Sequence, residues 1–480
     1  MRKELSDIIE ELMTTPGEPP EAEVPELYLQ YRDEDKKPLD PENVKKLNRP
    51  FTFGGKAIVT LMSIVYIFAI WYFTPRSQQW YLIGGPMFFY LLIKLAFALI
   101  YRPFKDELTK DYKVSIIITC FNEKPESIVS IFDNIKALDY PVHEVLFLDD
   151  GSADTTAYEV ALSYSQAHPD TKYNILRFEE NRGKKAVMIE GFARATGDYV
   201  FMLDSDSEIM PNALTELLRP FEKEKTTSVV GHIGVLNKKN FVTKMQAMTY
   251  YNAFQLGRAS QSARGNVVVC SGAFSLHRLD FILENLEDFE EDKCFGIPVS
   301  SGDDRLLTKI AKSAKGRTVY QNTAYCETIV PEKWRALIKQ RRRWQRSGYL
   351  ISLKAIKDTF PRSPLYMAWS FLEAYLWLVA LILWIISIIA RGGVDFDLRD
   401  AIIFTSIVMF KQNGFYILYR PIHFVLVPIY TIVYGLFLIF IRAYAIVTIF
   451  NDDWGTRKPE EDKVEIVDAP VYEEATPVQV

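Results

Sequence analysis

The chain has 480 residues, 49% of them hydrophobic, and a formal net charge of −5 at pH 7. That balance excludes a globally basic nucleic-acid binder, and the length admits one sizeable globular domain with extra elements, or two modest ones. Four cysteines (Cys120, Cys270, Cys294, Cys326) lie far apart with no CxxC pair, which fits neither a disulfide framework nor a zinc site and suits a reducing cytosol.

Residues 1–50 are rich in acids and prolines and sustain no apolar period. They read as a disordered acidic tail with one short helix at 2–13. MRKELSDIIEELMTT lacks an apolar core, so no cleavable signal peptide is expected. Residues 51–104 hold two apolar runs, 56–73 and 81–101, each close to the roughly 20 residues that span a bilayer. The short connector 75–80 makes them a transmembrane hairpin, with Lys94 snorkelling or paired in a bundle. Two buried core helices are the other reading, and the lengths count against it. Positive charge in KKLNRP and YRPFK places those flanks in the cytosol.

Residues 105–330 change character. KVSIIITCFNE, EVLFLDDGS, YNILRFEEN and DYVFMLDSDSE are short β-branched and aromatic runs, each ending in polar residues, with helical patterns between them. Such alternation predicts an α/β domain with a mostly parallel sheet covered on both faces. Ligands of such sheets bind beyond the carboxyl ends of the strands, where the carboxylates of this chain cluster.

Residues 331–362 mix basic and apolar residues at helical spacing, as helices lying in a membrane interface do. Residues 363–450 hold three further runs, 365–390, 400–419 and 424–450. An even number of spans must separate the catalytic domain from NDDWGTRK if both face the cytosol. Either 400–419 spans and 424–450 is interfacial or re-entrant, or the weaker run 400–419 does not cross; the Arg420, Pro421 and His423 cluster suits a cytosolic turn and favours the first. Residues 451–480 end the chain in an acidic tail.

The strand ends carry the chemistry. In LDSDSE, Asp204 and Asp206 are spaced to reach one cation, and hard oxygen ligands suit Mg2+ or Mn2+ holding a diphosphate; a solvated turn is the alternative, and the place after the strand-like DYVFML counts against it. In FLDDGSAD, Asp150 could accept hydrogen bonds from a base or ribose, or cap a turn. Lys184, in ENRGKKAV, offers a phosphate or base contact, and a solvated basic turn is its alternative. Asp303 and Asp304, in SSGDDRLLTKIA, form a carboxylate pair able to supply a general base, or else cap a helix. In IKQRRRWQRSG, arginine forks suit diphosphate oxygens and tryptophan suits the C–H face of a sugar. An ordinary basic helix beside anionic lipid would look the same locally.

Taken in order, SIIITCFNE, LDDGSAD, NRGKK, DSD, GDDR and QRRRW resemble the processive family 2 glycosyltransferases: the cellulose, chitin and hyaluronan synthases. Segments 251–278, 295–308, 316–334 and 451–458 are most similar to the streptococcal type of hyaluronan synthase. The resemblance implies a GT-A-type catalytic domain joined to membrane helices in the cell membrane, with the catalytic side in the cytosol. It implies UDP-glucuronate and UDP-N-acetylglucosamine as donors, a growing polysaccharide chain as acceptor, surrounding lipid and no nucleic acid. By the same likeness Asp150 and Lys184 would meet the nucleotide, and Asp204 and Asp206 would hold it through Mg2+ or Mn2+. Asp304 would be the base, supported by Asp303. Gln340, Arg343 and Trp344 would form the diphosphate and acceptor site, beside Cys270, Ser271 and Gly272. Trp454, Thr456 and Arg457 would close over the nucleotide. Arg341 departs from the hyaluronan synthase pattern, which has glutamine there, and matches the chitin synthase form. A chitin-type synthase is therefore the nearest alternative, and a membrane scaffold with an inactive transferase domain is a remoter one.

Overall fold

The alternation that marks a strand also sorts its side chains between two cores. The computed structural model describes residues 26–33, 39–48, 51–73, 85–290, 293–294, 297–298, 302–313, 316–359 and 426–449, with single positions 375, 382, 386, 389, 416, 419 and 420. The strands are β1 (Val114–Cys120), β2 (Glu144–Asp149), β3 (Tyr173–Arg177), β4 (Tyr199–Asp204), β5 (Ser207–Ile209), β6 (Thr226–Val235), β7 (Phe274–Arg278), a small hairpin of β8 (Lys293–Cys294) and β9 (Ile297–Pro298), and β10 (Arg317–Thr328). On β1, Ile116 and Ile118 enter one apolar cluster while Ile117 enters the other. Phe147 and Leu148 of β2 split the same way, as do Phe201 and Met202 of β4. Both faces are therefore covered, as a parallel sheet requires.

The main sheet runs β3-β2-β1-β4-β7-β6-β10-β5. Its first four strands are mutually parallel, and β6 and β10 are parallel to each other. Strands β7 and β5 are antiparallel to their neighbours. Cys120 aligns with Asp149, and Thr119 with Asp204. One edge of the sheet thus presents the carboxyl ends of β1, β2 and β4 together.

The expected disordered tail needs correction where it is described. Leu27–Tyr31 forms a 3-10 turn and Pro41–Leu47 a helix capped by Asp40. Tyr28 packs edge-on against Tyr164 at 4.9 Å, and its N–H donates to Ser163 Oγ at 3.3 Å. Arg32 pairs with Asp133 at 3.1 Å, and Leu47 is buried in the larger core. Aromatic anchors spaced too widely to show a period tie this segment down. The expected helix at 2–13 lies outside the described residues.

Helices Phe53–Phe73 and Gly85–Ile100 fall on the two N-terminal apolar runs. Among the described residues no helix is long and apolar enough to cross a membrane. The 331–362 segment is one continuous helix, Trp334–Thr359, rather than several; Gly348 inside it packs against the Arg305 guanidinium. It lies against a second long helix, Leu426–Val447. Residues 451–480, the run at 400–419 and most of 365–390 lie outside the described residues, apart from single positions.

Candidate active site

The β2 exit shows how the local sequence builds a cradle. Asp149 is buried and accepts from the Ser152 hydroxyl, and Arg177 lies 3.2 Å from its carboxylate. Burial raises its pKa, against those partners. Asp150 is also buried and accepts from the backbone N–H of Arg182 at 2.7 Å and of Gly183 at 3.1 Å. The nucleotide candidate Asp150 therefore holds the NRGK turn. Gly151, at φ +65°, could not carry a side chain there, because a Cβ would lie 2.6 Å from the Glu180 backbone. Asn122, at φ +53°, joins β1 to this turn: its N–H donates to Ser152 Oγ, and its side chain accepts from Ala153 N–H.

That turn delivers Lys184 to the first position of the helix Lys184–Arg194. Its Nζ lies 2.7 Å from Asp204 Oδ1. Burial works against the Lys184 charge, but Asp204 and then Asp303 outweigh it and raise the pKa, while Arg343 is near enough to act in opposition. The turn, the DSD pair, the GDD pair and the QRRRW helix therefore converge on one ammonium group.

Asp206 accepts from Thr328 Oγ1 at 3.1 Å. Its pKa is pushed up to about 7, by burial first and then by Asp204 and Glu123. Burial and Asp204 likewise raise Glu123, while Lys184 lowers it. Three carboxylates thus crowd a half-buried space with too little positive charge, which is the donor chemistry a divalent cation relieves. Among the described residues no group of three or more His, Cys, Asp or Glu is close enough to form a ready-made metal site.

Asp303 and Asp304 open the helix Asp303–Ser313. Gly302 precedes them at φ +97°, where a Cβ would strike Ser347 at 2.8 Å, so the GDD turn sits directly on the QRRRW helix. Asp304 Oδ1 accepts from Arg305 N–H at 2.8 Å. Thr308 Oγ1 donates to the Asp304 carbonyl and accepts from Cys270 N–H. A Cβ on Gly272 would lie 3.9 Å from Asp304 Cβ. The structure thereby brings Cys270, Ser271 and Gly272 beside Asp304. Burial pushes the Cys270 thiol up to about 12, so it is a packing group and not a nucleophile.

On the long helix, Gln340, Arg343 and Trp344 are half-buried, and Gln340 Oε1 has no hydrogen-bond partner among the described residues. Arg341 stacks over the Trp344 ring at 4.5 Å. Trp454, Thr456 and Arg457 lie outside the described residues. Sequence reasoning alone does not single out Glu123, Thr328 or Tyr250. Glu123 had a signal, being the acid just past the end of β1. Tyr250 had none, because only the fold places its hydroxyl within electrostatic reach of Asp204, Asp206 and Arg341.

Comparison with known proteins fits this arrangement. The family described as Glycosyl transferase family 2 matches residues 115–284, and the one described as Chitin synthase matches 298–474. The hyaluronan synthase of Streptococcus pyogenes serotype M1 is 35% identical over 408 residues, covering 84% of this chain and 96% of that protein. The chain belongs to the processive family 2 glycosyltransferases. An N-acetylglucosaminyltransferase of Rhizobium sp. (strain N33) is 27% identical over 362 residues, covering 74% of this chain and 80% of its own length. Among solved structures, a mannosyltransferase from Pyrobaculum calidifontis in complex with GDP-Man and Mn2+ superposes with a TM-score of 0.54 at 20% identity, over 83% of this chain and 99% of that one. That likeness shows the GT-A-like α/β fold of this glycosyltransferase.

Proposed function

We propose that this glycosyltransferase polymerises UDP-glucuronate and UDP-N-acetylglucosamine into hyaluronan and passes the chain across the cell membrane. The observation that carries the reading is the convergence of Asp204, Asp303 and Arg343 on Lys184, in a chain 35% identical to a hyaluronan synthase. Lys184 and Arg343 hold the diphosphate, and the cradle set by Asp150 receives the nucleotide. Asp204 and Asp206 are the residues that would hold Mg2+ or Mn2+, which when bound would neutralise the leaving diphosphate. Asp304 removes the acceptor hydroxyl proton, and the adjacent Asp303 keeps the local charge negative. Trp344 and Gln340 seat the acceptor sugar, against the Cys270–Gly272 loop. One displacement at the anomeric carbon inverts an α-linked donor to a β-linked product. Trp454, Thr456 and Arg457 close over the nucleotide.

Exposed apolar side chains support embedding in lipid. Leu61 is 62% exposed on the first long helix, and Phe440 is 72% and Val447 81% exposed on the last. Such contiguous apolar faces are costly in water. The Chitin synthase match over 298–474 and Arg341 favour a second reading, a synthase using UDP-N-acetylglucosamine alone. Detergent-purified protein with Mg2+ or Mn2+ tests both, given each donor singly and then together. Hyaluronidase-sensitive polymer only with both donors is expected. Chitinase-sensitive polymer from UDP-N-acetylglucosamine alone would overturn the first reading.

A further inference from the structure

Asp206 stands in the turn that leads into β5, and β5 by itself is a weak support. It has three residues, lies at the end of the sheet, and meets β10 in three register pairs: Ser207 with Thr328, Glu208 with Glu327 and Ile209 with Cys326. An edge strand has a ladder on one side only. Burial, Asp204 and Glu123 all work against the Asp206 carboxylate, and the hydrogen bond from Thr328 opposes them. Two residues later the chain is fastened again. Glu208 Oε1 accepts from Ser130 Oγ at 2.9 Å, and its Oε2 accepts from Asn134 Nδ2 at 2.9 Å. Asn134 Nδ2 also donates to the Ser130 carbonyl at 2.7 Å, so two donors one helical turn apart act as a single fork. Their helix, Pro125–Lys136, is itself firmly held. It buries Ile128, Ile131, Phe132 and Ile135, while Asp133 pairs with Arg32 at 3.1 Å and accepts from the Tyr164 hydroxyl at 2.8 Å.

We propose that Glu208 is a positioning residue: gripped by Ser130 and Asn134, it keeps Asp206 beside Asp204, so that a divalent cation meets a site already set. The inference rests on the reading of Asp204 and Asp206 as the metal residues. An ordinary join between helix and sheet would not call for an acid. The neighbouring Ile209, buried at 2% exposure, makes the apolar kind of contact, and a carboxylate at 208 adds negative charge two residues from a crowded group. What the carboxylate adds is direction. Two hydrogen bonds to an ionised group are short and strongly oriented, and they fix a short strand along its length, which apolar packing does not. Without them, the repulsion of Asp206 by Asp204 and Glu123 is free to swing the turn open. The order lost there has to be restored when a cation binds, which weakens binding and leaves the bound state unchanged.

The test reads metal binding directly. Mn2+ is titrated into the detergent-purified full chain, first alone and then with UDP, and bound metal is measured from the loss of the free-ion electron paramagnetic resonance signal. Glu208→Ala is expected to raise the Kd for Mn2+ about tenfold, the low end of the effect of losing a supporting group. UDP release at saturating Mn2+ should stay within about twofold of the parent, so the loss falls on metal affinity and not on kcat. Asn134→Ala should weaken Mn2+ in the same sense, and the double variant should bind no more weakly than Glu208→Ala alone, because both changes open one clamp. An unchanged Kd in Glu208→Ala, with or without a fall in Tm, overturns the proposal and leaves Glu208 a fold residue. Additive losses in the double variant overturn it as well, and so does a fall in kcat that saturating Mn2+ does not restore. If Glu208→Ala does not fold, Asn134→Ala carries the test: a raised Kd supports the clamp, and an unchanged one overturns it. Asp206→Asn separates the two failures. A parent that binds no Mn2+, or an Asp206→Asn protein that binds it as the parent does, sinks the metal reading and this proposal with it. Binding that Asp206→Asn abolishes and Glu208→Ala leaves intact sinks only the role of Glu208.

Discussion

Two carboxylates at opposite edges of one sheet meet opposite environments. Glu144 opens β2, on one flank of β1; Asp206 follows β4, on the other. Glu144 is fully buried and accepts five hydrogen bonds, from Ser115 Oγ, Lys172 Nζ, Asn174 Nδ2, Thr196 N–H and Thr196 Oγ1. Burial opposes its charge, but Lys172, Thr196 and Ser115 together hold its pKa down to about 2. Among the described residues Asp206 accepts one hydrogen bond, from Thr328, and has two acidic neighbours, and its pKa rises to about 7. The edge where the strands begin has its charge satisfied from within, so it stabilises the fold. The edge where they end leaves charge for something else to satisfy, as binding sites do.

The sharpest way to break this division is at the end to which the proposed chemistry is assigned. Asp304→Asn keeps the helix start and its packing on Ser347, but removes the proposed base. A loss of turnover of about 10³-fold is expected, within the usual range for a general base, with UDP affinity unchanged. Near-normal turnover would remove Asp304 from that role. At the other edge, Glu144→Gln should leave the chemistry of the folded protein alone and lower its stability. The gap between 4.5 and about 2 is worth about 3 kcal/mol, and a buried amide there cannot accept as Glu144 does. The readout is Tm, with UDP affinity as the control. An unchanged Tm would mean that the network does not hold the edge.

How much of this was legible in the sequence follows the same line. Alternation placed β1, β2, β3 and β4, and their polar ends located Asp150, Asp204 and the turn before Lys184. Short-range signals sufficed because those groups lie on the strands themselves or one turn beyond. The Glu144 network was not legible, because Ser115, Lys172 and Thr196 come from three other segments. The antiparallel insertion of β7 between β4 and β6 was also hidden, since strand periodicity carries no direction. For the same reason Arg341 could be read only as a departure from a pattern. Its guanidinium lies over the rings of Tyr250 and Tyr434, each about ninety residues away in sequence.

The metal sharpens the comparison further. Mg2+ or Mn2+ at a concentration about 100 times its Kd should stabilise the parent by roughly 2.7 kcal/mol. In Asp206→Asn that gain should disappear, and the metal-free variant should melt no lower than the metal-free parent, because the substitution removes crowded negative charge. A variant that melted well below the parent would make Asp206 a fold residue like Glu144. Equal stabilisation of both proteins by metal would place the cation elsewhere.

The smallest expected effect is also the most direct test of the two edges together, because pH moves them in opposite senses. Asp206 has a folded pKa raised above its ordinary 3.8, to about 7. Its ionisation therefore costs nothing below 3.8, costs progressively more between 3.8 and 7, and costs most above 7. Lowering the pH of metal-free protein from 7 to 5 should thus add stability, on the order of 1 kcal/mol once solvent screening of a half-buried cluster is allowed for. Glu144 has a folded pKa depressed from 4.5 to about 2. Its contribution is complete above 4.5 and is lost as the pH falls toward 2, so it does not oppose the first change. Metal-free parent should therefore melt higher at pH 5 than at pH 7, and lower again below pH 4. The first rise should be missing in Asp206→Asn, and the later fall should be shallower in Glu144→Gln. A rise that persists in Asp206→Asn would move the uncompensated charge to another group, and the contrast between the two edges would no longer rest on Asp206.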